Sequence, residues 1–253
     1  MSESENRRIT VMGATGQIGA KVVDLLRDGG YDVVAASRSK GADVLTGDGL
    51  AEALDGAGVL VDVTNSPSFE DGPVMGFFGR SSANLVAAGR AAGIGHYVVL
   101  SIVGADGLPE SGYMRAKVAQ EKAVAGSGLP YTIVRATQFH EFAEMITDSL
   151  VVGGEVRAPD ARIQPIAADE VAAEVVRAAV AAPVNGVVDA GGPEKLPFAD
   201  LARAVLAARG ADMPVVVDPQ ARYFGTPVDD TSLVTGDGAV IAPTRFADWL
   251  AQR

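Results

Sequence analysis

The chain has 253 residues, of which 48% are hydrophobic and 21% charged, a composition typical of a globular protein with a sizeable core. It contains no cysteine and only two histidines, His96 and His140, which excludes disulfides, thiolate nucleophiles and metal sites built from cysteine or several histidines. The formal net charge of -11 disfavours nucleic acid as a partner, because its phosphates would be repelled.

Nothing in the sequence indicates a membrane or a secretory protein. No apolar run approaches the roughly 20 residues that span a bilayer. The polar start, residues 1–5, lacks the basic and apolar regions of a signal peptide. We therefore expect a cytoplasmic protein with no membrane partner, and we interpret residues 1–6 as a disordered lead.

Short apolar strands alternate with helices along the first half of the chain. The predicted strands are 8–12, 31–36, 59–63, 96–100 and 131–135, and the predicted helices are 17–28, 50–54, 73–92 and 111–125. This alternation predicts a parallel sheet with helices on both faces, doubly wound because crossovers are right-handed. The expected fold class is an α/β Rossmann fold, with its core at residues 7–136.

The pattern changes beyond residue 136. The predicted helices are 141–149, 169–181, 197–208 and 244–252, and the one predicted core strand is 187–189. We interpret residues 137–253 as a small substrate-side subdomain whose elements interleave with the sheet inside one compact domain. The oligomeric state is not indicated by the sequence.

A glycine-rich turn joins the first strand to the first helix, with the spacing Gly-x-x-Gly-x-x-Gly. Glycines permit a tight turn and a close approach of the backbone to a pyrophosphate, and the helix start adds free N–H groups and a positive dipole end. The residues predicted to bind a dinucleotide here are Gly13, Thr15, Gly16, Gln17, Ile18 and Gly19. The alternative is a glycine-rich turn without a ligand.

Ser37 and Arg38 follow the second strand. An acidic residue at this distance from the glycines would accept a hydrogen bond from the ribose 2′-hydroxyl of NAD. Arg38 stands there instead, and its guanidinium can donate two hydrogen bonds to a 2′-phosphate. The sequence therefore favours NADP over NAD, although a solvated surface arginine is the alternative.

A serine, a tyrosine and a lysine follow the fourth strand. Ser101 ends that strand, at the carboxyl edge where open α/β sheets bind ligands. Tyr113 and Lys117 are four residues apart on the next helix and share one face. We expect the lysine ammonium to lower the tyrosine pKa from about 10, so that Tyr113 can transfer a proton while Ser101 holds the substrate oxygen. Packing alone is the alternative role for Tyr113.

These motifs resemble a known family. Gly-Ala-Thr-Gly-x-x-Gly at 13–19, followed by Ser101 and Tyr-x-x-x-Lys, is similar to the short-chain dehydrogenase/reductase superfamily. The runs 127–135, 164–172 and 191–194 resemble its atypical NmrA-like branch. The resemblance implies that Ser101, Tyr113 and Lys117 form a catalytic set and that Lys117 also holds the nicotinamide ribose. It further implies that Asp43 and Val44 approach the adenine and that Thr64 and Asn65 line the cofactor.

The resemblance also implies a function. Members of this branch include NADPH-dependent oxidoreductases that transfer hydride to small carbonyl, quinone or conjugated substrates. Other members are non-catalytic NADP(H)-binding regulators or redox sensors, which usually lack the tyrosine, so Tyr113 favours an enzyme. An isomerase or epimerase that retains its cofactor is a third alternative.

Candidate substrate contacts follow the strand at 131–135. Gln138, Phe139 and His140 lie where the sheet edge should meet a substrate, although His140 fits a structural role equally well. An apolar wall from Met75, Phe77, Phe78 and Met145 is possible, with core packing as the alternative. The long loop 218–237, which contains Arg222, Tyr223 and Phe224, could cover the site.

Overall fold

The structure is a computed structural model that describes residues 8–252, so the predicted disordered lead at 1–6 lies outside the described residues. The strands are β1 (Arg8–Met12), β2 (Val33–Ala36), β3 (Ala57–Asp62), β4 (His96–Ile102), β5 (Tyr131–Ala136), β6 (Val151–Val152), β7 (Glu155–Ala158), β8 (Arg162–Ile163), β9 (Gly186–Gly191), β10 (Leu196–Pro197), β11 (Val215–Val217) and β12 (Val240–Ile241). The helices are α1 (Gln17–Asp28), α2 (Leu50–Leu54), α3 (Asp71–Ala92), α4 (Gly112–Ala125), α5 (Ala143–Ser149), α6 (Ala168–Val180), α7 (Phe198–Arg209) and α8 (Phe246–Leu250).

Seven strands form one parallel sheet in the order β2-β1-β3-β4-β5-β9-β12. The chain builds β2 on one side of β1 and then crosses to build β3 on the other side. This reversal creates a crevice at the carboxyl ends of β1 and β3, where doubly wound folds bind ligands. The predicted doubly wound α/β fold is confirmed.

Helices cover both faces of the sheet and explain why its central strands are continuously apolar. On one face α1 and α6 pack against the sheet through Val22, Leu26 and Val175, which are fully buried. On the other face α2, α3 and α4 bury Leu54 and Leu85 against the sheet. The spacing of Ile18, Val22 and Leu26 in α1 places one side chain per turn on the buried face.

The second half of the chain contributes both to the main sheet and to two smaller sheets. β9 and β12 extend the main sheet, while β6, β7 and β11 form a three-stranded sheet and β8 pairs with β10. A separate core gathers α5 and α7 around Ile146, Val156 and Phe198. The division into a core at residues 7–136 and an interleaved substrate-side subdomain at 137–253 stays a prediction.

Several predicted boundaries shift by a few residues. The second strand starts at Val33 rather than Tyr31, after a left-handed Gly30 at φ +80°. The third helix starts at Asp71, since Pro73 sits in its first turn, where the missing N–H is not needed. The last helix is shorter than predicted and ends at Leu250. Within residues 8–252, no helix combines the length and the apolar character needed to cross a membrane.

Candidate functional site

The turn after β1 is shaped by two glycines that no other residue could replace. Gly13 has φ +87°, and a Cβ there would lie 2.9 Å from the carbonyl oxygen of Val63 after β3. A Cβ on Gly19 would lie 2.0 Å from the carbonyl oxygen of Gly13. The turn therefore fits tightly between the end of β3 and the start of α1, in the crevice of the sheet.

The start of α1 suits an anion. Gly16 is its N-cap and supplies no side-chain cap, and the first turn contains no acidic residue. Thr15, Gly16 and Gln17 are exposed at the positive dipole end of α1, where the Gly16 N–H already donates to the Gly13 carbonyl oxygen at 3.0 Å. This arrangement fits the diphosphate of a dinucleotide.

Arg38 lies at the carboxyl end of β2, beside this turn. It is exposed and begins a short 3-10 helix, Arg38–Lys40, while Ser37 is buried and shares a hydrogen bond of 3.0 Å with Ser39. Within the described part of the chain, the Arg38 guanidinium makes no ion pair or hydrogen bond. Its charge is therefore available to a phosphate.

The segment predicted to approach the adenine is held by a residue that sequence reasoning missed. Asn84 of α3 donates from Nδ2 to the carbonyl oxygens of Val44 and Leu45, at 2.9 and 3.2 Å. The Asp43 carboxylate accepts from the Leu45 N–H at 2.7 Å, so it stabilises its own loop. No sequence signal marks an asparagine inside a long helix as a loop anchor.

Asn65 and Tyr113, predicted for different roles, are hydrogen-bonded to each other. The Tyr113 hydroxyl donates to Asn65 Oδ1 at 2.7 Å, and this oxygen also accepts from the Ser66 N–H at 2.9 Å. Thr64 donates from its N–H and its hydroxyl to Asp62 Oδ1, at 3.0 and 2.7 Å. The segment after β3 therefore links the predicted cofactor site to the predicted proton donor.

The expectation that Lys117 lowers the pKa of Tyr113 is wrong for this structure. Burial raises the pKa of Tyr113 to about 12, and the hydrogen bond to Asn65 opposes this only in part. The tyrosine ring packs against Phe69 and Phe78, with ring centroids 5.3 and 6.0 Å away. The physical reason lies in Lys117, whose amine points elsewhere.

Lys117 is buried, at 4% exposure, and its amine is fully engaged. Nζ donates to the carbonyl oxygen of Leu100 at 2.8 Å and to Oε1 of Gln120, and it lies 4.5 Å from the centroid of the Phe78 ring. Burial lowers the pKa of Lys117 to about 8, against the opposing effects of Asp62 and Glu121.

A buried polar network continues from Lys117 into the sheet. Gln120 donates from Nε2 to Asp62 Oδ2 at 2.9 Å, and the Tyr97 hydroxyl donates to the same oxygen at 3.1 Å. Burial raises the pKa of Tyr97 well above its ordinary value. Sequence reasoning missed Asp62, Tyr97 and Gln120, although a carboxylate inside an otherwise apolar strand was a usable signal.

Three unpartnered polar groups lie at or just beyond the carboxyl ends of β4 and β5, which are neighbouring strands. Ser101 Oγ, Thr137 Oγ1 and Gln138 Nε2 are buried and have no hydrogen-bond partner within the described residues. An unsatisfied buried polar group costs about 1–3 kcal/mol, so a water or a ligand is the expected partner of these three groups. Thr137 was not predicted from the sequence.

The predicted substrate contacts separate from one another in the structure. Gln138 accepts a hydrogen bond from the Tyr223 hydroxyl at 2.9 Å, and Phe139 stacks on Phe142 at 5.2 Å. His140 is 1% exposed, with the rings of Phe246 and Trp249 both 5.3 Å away. Its imidazole packs among aromatic side chains rather than opening to a substrate, which fits the structural alternative. Burial lowers the pKa of His140.

The apolar residues suggested as a pocket wall differ in burial and do not all face one site. Phe78 is fully buried under Tyr113 and Lys117, whereas Met75 and Met145 are 37% and 43% exposed. Phe78 therefore belongs to the packing that orients the candidate catalytic residues.

The topology, the glycine turn and the uncapped helix start together define a dinucleotide-binding Rossmann protein. A family model described as NAD(P)H-binding matches residues 13–183, and the chain belongs to this family. The resemblance to the short-chain dehydrogenase/reductase superfamily and its NmrA-like branch is thereby confirmed.

The chain is similar to two kinds of curated protein. It is 29% identical over 147 residues to the photosystem II assembly factor Ycf39 of Cyanophora paradoxa, covering 53% of this chain and 46% of that protein. It is 28% identical over 221 residues to the NAD(P)H azoreductase of Xenophilus azovorans, covering 80% of this chain and 74% of that enzyme. The chain thus spans about half the length of the Ycf39 relative.

Solved structures show the same fold at low identity. The dTDP-4-dehydrorhamnose reductase of Bacillus anthracis str. Ames, in complex with NADP, superposes with a TM-score of 0.72 at 15% identity and covers 98% of both chains. This likeness extends the Rossmann assignment over nearly the whole chain.

Proposed function

We propose that this protein is an NADPH-dependent reductase of a small carbonyl, quinone or conjugated substrate. The observation that carries the proposal is the 2.7 Å hydrogen bond between Tyr113 and Asn65. It would hold a proton donor beside the segment proposed to line the cofactor. The likeness to an NAD(P)H azoreductase over 80% of this chain supports a reductase.

The residues present fit NADP. The main chain of the Gly13–Gly19 turn would hold the diphosphate, because Gly13 and Gly19, packed against neighbouring carbonyl oxygens, keep the turn tight at the start of α1. The free guanidinium of Arg38 would bind the 2′-phosphate. When bound, the cofactor would supply a hydride, and Thr64 and Asn65 would line its path along the sheet edge.

Tyr113 would supply the proton that completes the two-electron reduction. A phenol with a pKa of about 12 stays protonated at neutral pH, so it is ready to donate rather than to accept. The unpartnered hydroxyl of Ser101 would donate a hydrogen bond to the substrate oxygen.

Lys117 would act as a positioning residue in this conformation. Its amine ties α4 to the Leu100 carbonyl, directly before Ser101, and so fixes the distance between the helix of Tyr113 and the end of β4. The ribose contact implied by the family resemblance stays a prediction, as do the cytoplasmic location and the small-molecule substrate.

Turnover with a panel of acceptors tests the proposal. NADPH consumption would be followed by absorbance with quinones, azo dyes, aldehydes and enones, for the wild type and for Tyr113→Phe. We expect at least one acceptor to be reduced and the variant to lose about 10²–10⁴-fold in rate with unchanged NADPH affinity. Equal rates for the two proteins would remove Tyr113 as the acid.

A non-catalytic NADP(H)-binding assembly or regulatory protein is the second candidate. The likeness to a photosystem II assembly factor favours it, as does the enclosure of the Ser101 hydroxyl. This function predicts dinucleotide binding in calorimetry and no turnover with any acceptor in the panel.

A further inference from the structure

A strained turn stands in the loop that follows β11. Tyr223 and Thr226 exchange two backbone hydrogen bonds, at 2.9 and 3.0 Å, around Phe224 and Gly225. Both central residues have positive φ, +45° for Phe224 and +82° for Gly225, as in a type I′ turn. Asparagine or glycine favours the first central position, whereas a bulky aromatic residue is strained there.

The strain holds an aromatic ring at the surface. The flanking residues are buried, with Tyr223 at 5% and Thr226 at 2% exposure, while Phe224 is 48% exposed. The Phe224 ring contacts Tyr223 edge-on at 4.8 Å. Core packing therefore does not explain why the left-handed position carries phenylalanine, since nearly half of the side chain meets solvent.

A hydrogen bond and an ion pair connect this turn to residues near the candidate site. The Tyr223 hydroxyl donates to Gln138, two residues after β5 ends at the carboxyl edge of the sheet. Arg222 pairs with Glu110 at 2.7 Å, three residues before Tyr113. Tyr223 and Tyr113 pack around one core, and the nearby Tyr113 phenol, after burial, further raises the pKa of Tyr223.

A second exposed phenyl ring packs against Tyr113, whereas Phe224 packs against Tyr223. Phe69 is 62% exposed and packs against the Tyr113 ring at 5.3 Å. Phe69 comes from the loop before α3, whereas Phe224 comes from the C-terminal half of the chain. Two exposed phenyl rings suit the faces and edges of a flat apolar ligand.

We propose that Phe224 is a specificity-determining residue that packs against the face of a planar aromatic substrate beside Tyr113. The inference rests on the proposed reductase function and names the substrate class for that site. The turn 223–226 serves to present the ring, and its backbone strain is retained because the ring contacts substrate.

Phe224→Asn separates this role from a role in folding. Asparagine suits the left-handed position, so the variant should unfold at the same temperature as the wild type or higher. We expect about tenfold lower kcat/KM for naphthoquinone, with little change for an aliphatic aldehyde and for NADPH affinity. Val184→Asn, which removes an exposed apolar side chain at the opposite edge of the sheet, is the matched control.

Calorimetric binding of 2-naphthol to the NADP⁺ complex gives a readout that does not need turnover. We expect the wild type and Val184→Asn to bind it and Phe224→Asn to bind about tenfold more weakly. Equal binding by all three proteins, no binding by the wild type, or an equal fall for aromatic and aliphatic substrates would overturn the inference. Binding that depends on Phe224 without any turnover would instead refute only the reductase function.

Discussion

The Tyr113 hydroxyl donates to Oδ1 of Asn65 across 2.7 Å, and this bond joins the first turn of α4 to the segment after β3. Asn65, which the family resemblance implies as a cofactor contact, therefore also contacts the proposed proton donor. It orients the phenol and partly offsets the rise in the pKa of Tyr113 that burial causes.

Asn65→Leu removes the acceptor of the Tyr113 hydroxyl. We expect a loss of about 1 kcal/mol in the free energy of unfolding and a clear fall in kcat, because the phenol loses its orientation and becomes a weaker acid. Urea unfolding and steady-state kinetics measure the two effects. Unchanged kcat would show that the bond has no part in proton transfer.

Arg38→Ala tests cofactor choice. A charge-assisted hydrogen bond contributes about 1.5–3 kcal/mol, so NADPH affinity should fall roughly 10- to 100-fold while NADH affinity stays nearly constant. Lys40→Ala, an exposed cation on the same 3-10 helix, is the control and should change much less. Equal weakening of both cofactors by Arg38→Ala would contradict the contact with the 2′-phosphate.

Gly19→Ala tests the phosphate turn. The added Cβ would lie 2.0 Å from the Gly13 carbonyl oxygen, so the turn must open, and we expect dinucleotide binding to be lost together with some stability. Gly76→Ala in α3 is the matched control, because its Cβ would meet nothing within 4 Å. That control should be stabilised by about 0.5–1 kcal/mol in thermal unfolding. Undiminished calorimetric binding by Gly19→Ala would refute the assigned diphosphate site.

The lowered pKa of the buried Lys117 amine should make the stability of the fold depend on pH. Burial lowers its pKa from an ordinary 10.5 to about 8, so between these values the unfolded chain carries a proton that the folded chain has lost. Stability should therefore rise with pH from about 8 to 10, and the burial cost of the charge is fully present below 8. Above pH 10 the opposite effect of Tyr113, whose pKa is raised, reduces the gain.

Lys117→Met removes the titrating group and should flatten this rise. Urea unfolding of both proteins at pH 8 and pH 10 gives the comparison, and the difference between their slopes isolates Lys117 from the other ionisable groups. Parallel slopes would show that the Lys117 amine is not desolvated as the structure indicates.

Local sequence patterns alone determined the secondary-structure elements, the glycine turn and the fold class of this protein. The apolar run of β1, the glycine turn and the periodicity of α1 each extend over a few consecutive residues, so they predict a strand, a phosphate turn and a helix without tertiary information. The alternation of such units determined the doubly wound sheet, because parallel neighbours need crossovers. The order of Ser101, Tyr113 and Lys117 could also be recognised from sequence, because it depends only on residue type and spacing along the chain.

Tertiary structure alone decided how these groups face one another. The Lys117 amine turned to Leu100 and Gln120, His140 packed against α8, and Tyr223 reached Gln138, 85 residues earlier in the chain. The strands β6, β8, β10 and β12 have only two residues each and exist through their pairing partners. Such contacts join distant parts of the chain, and side-chain direction there depends on burial and hydrogen-bond partners that no local periodicity encodes.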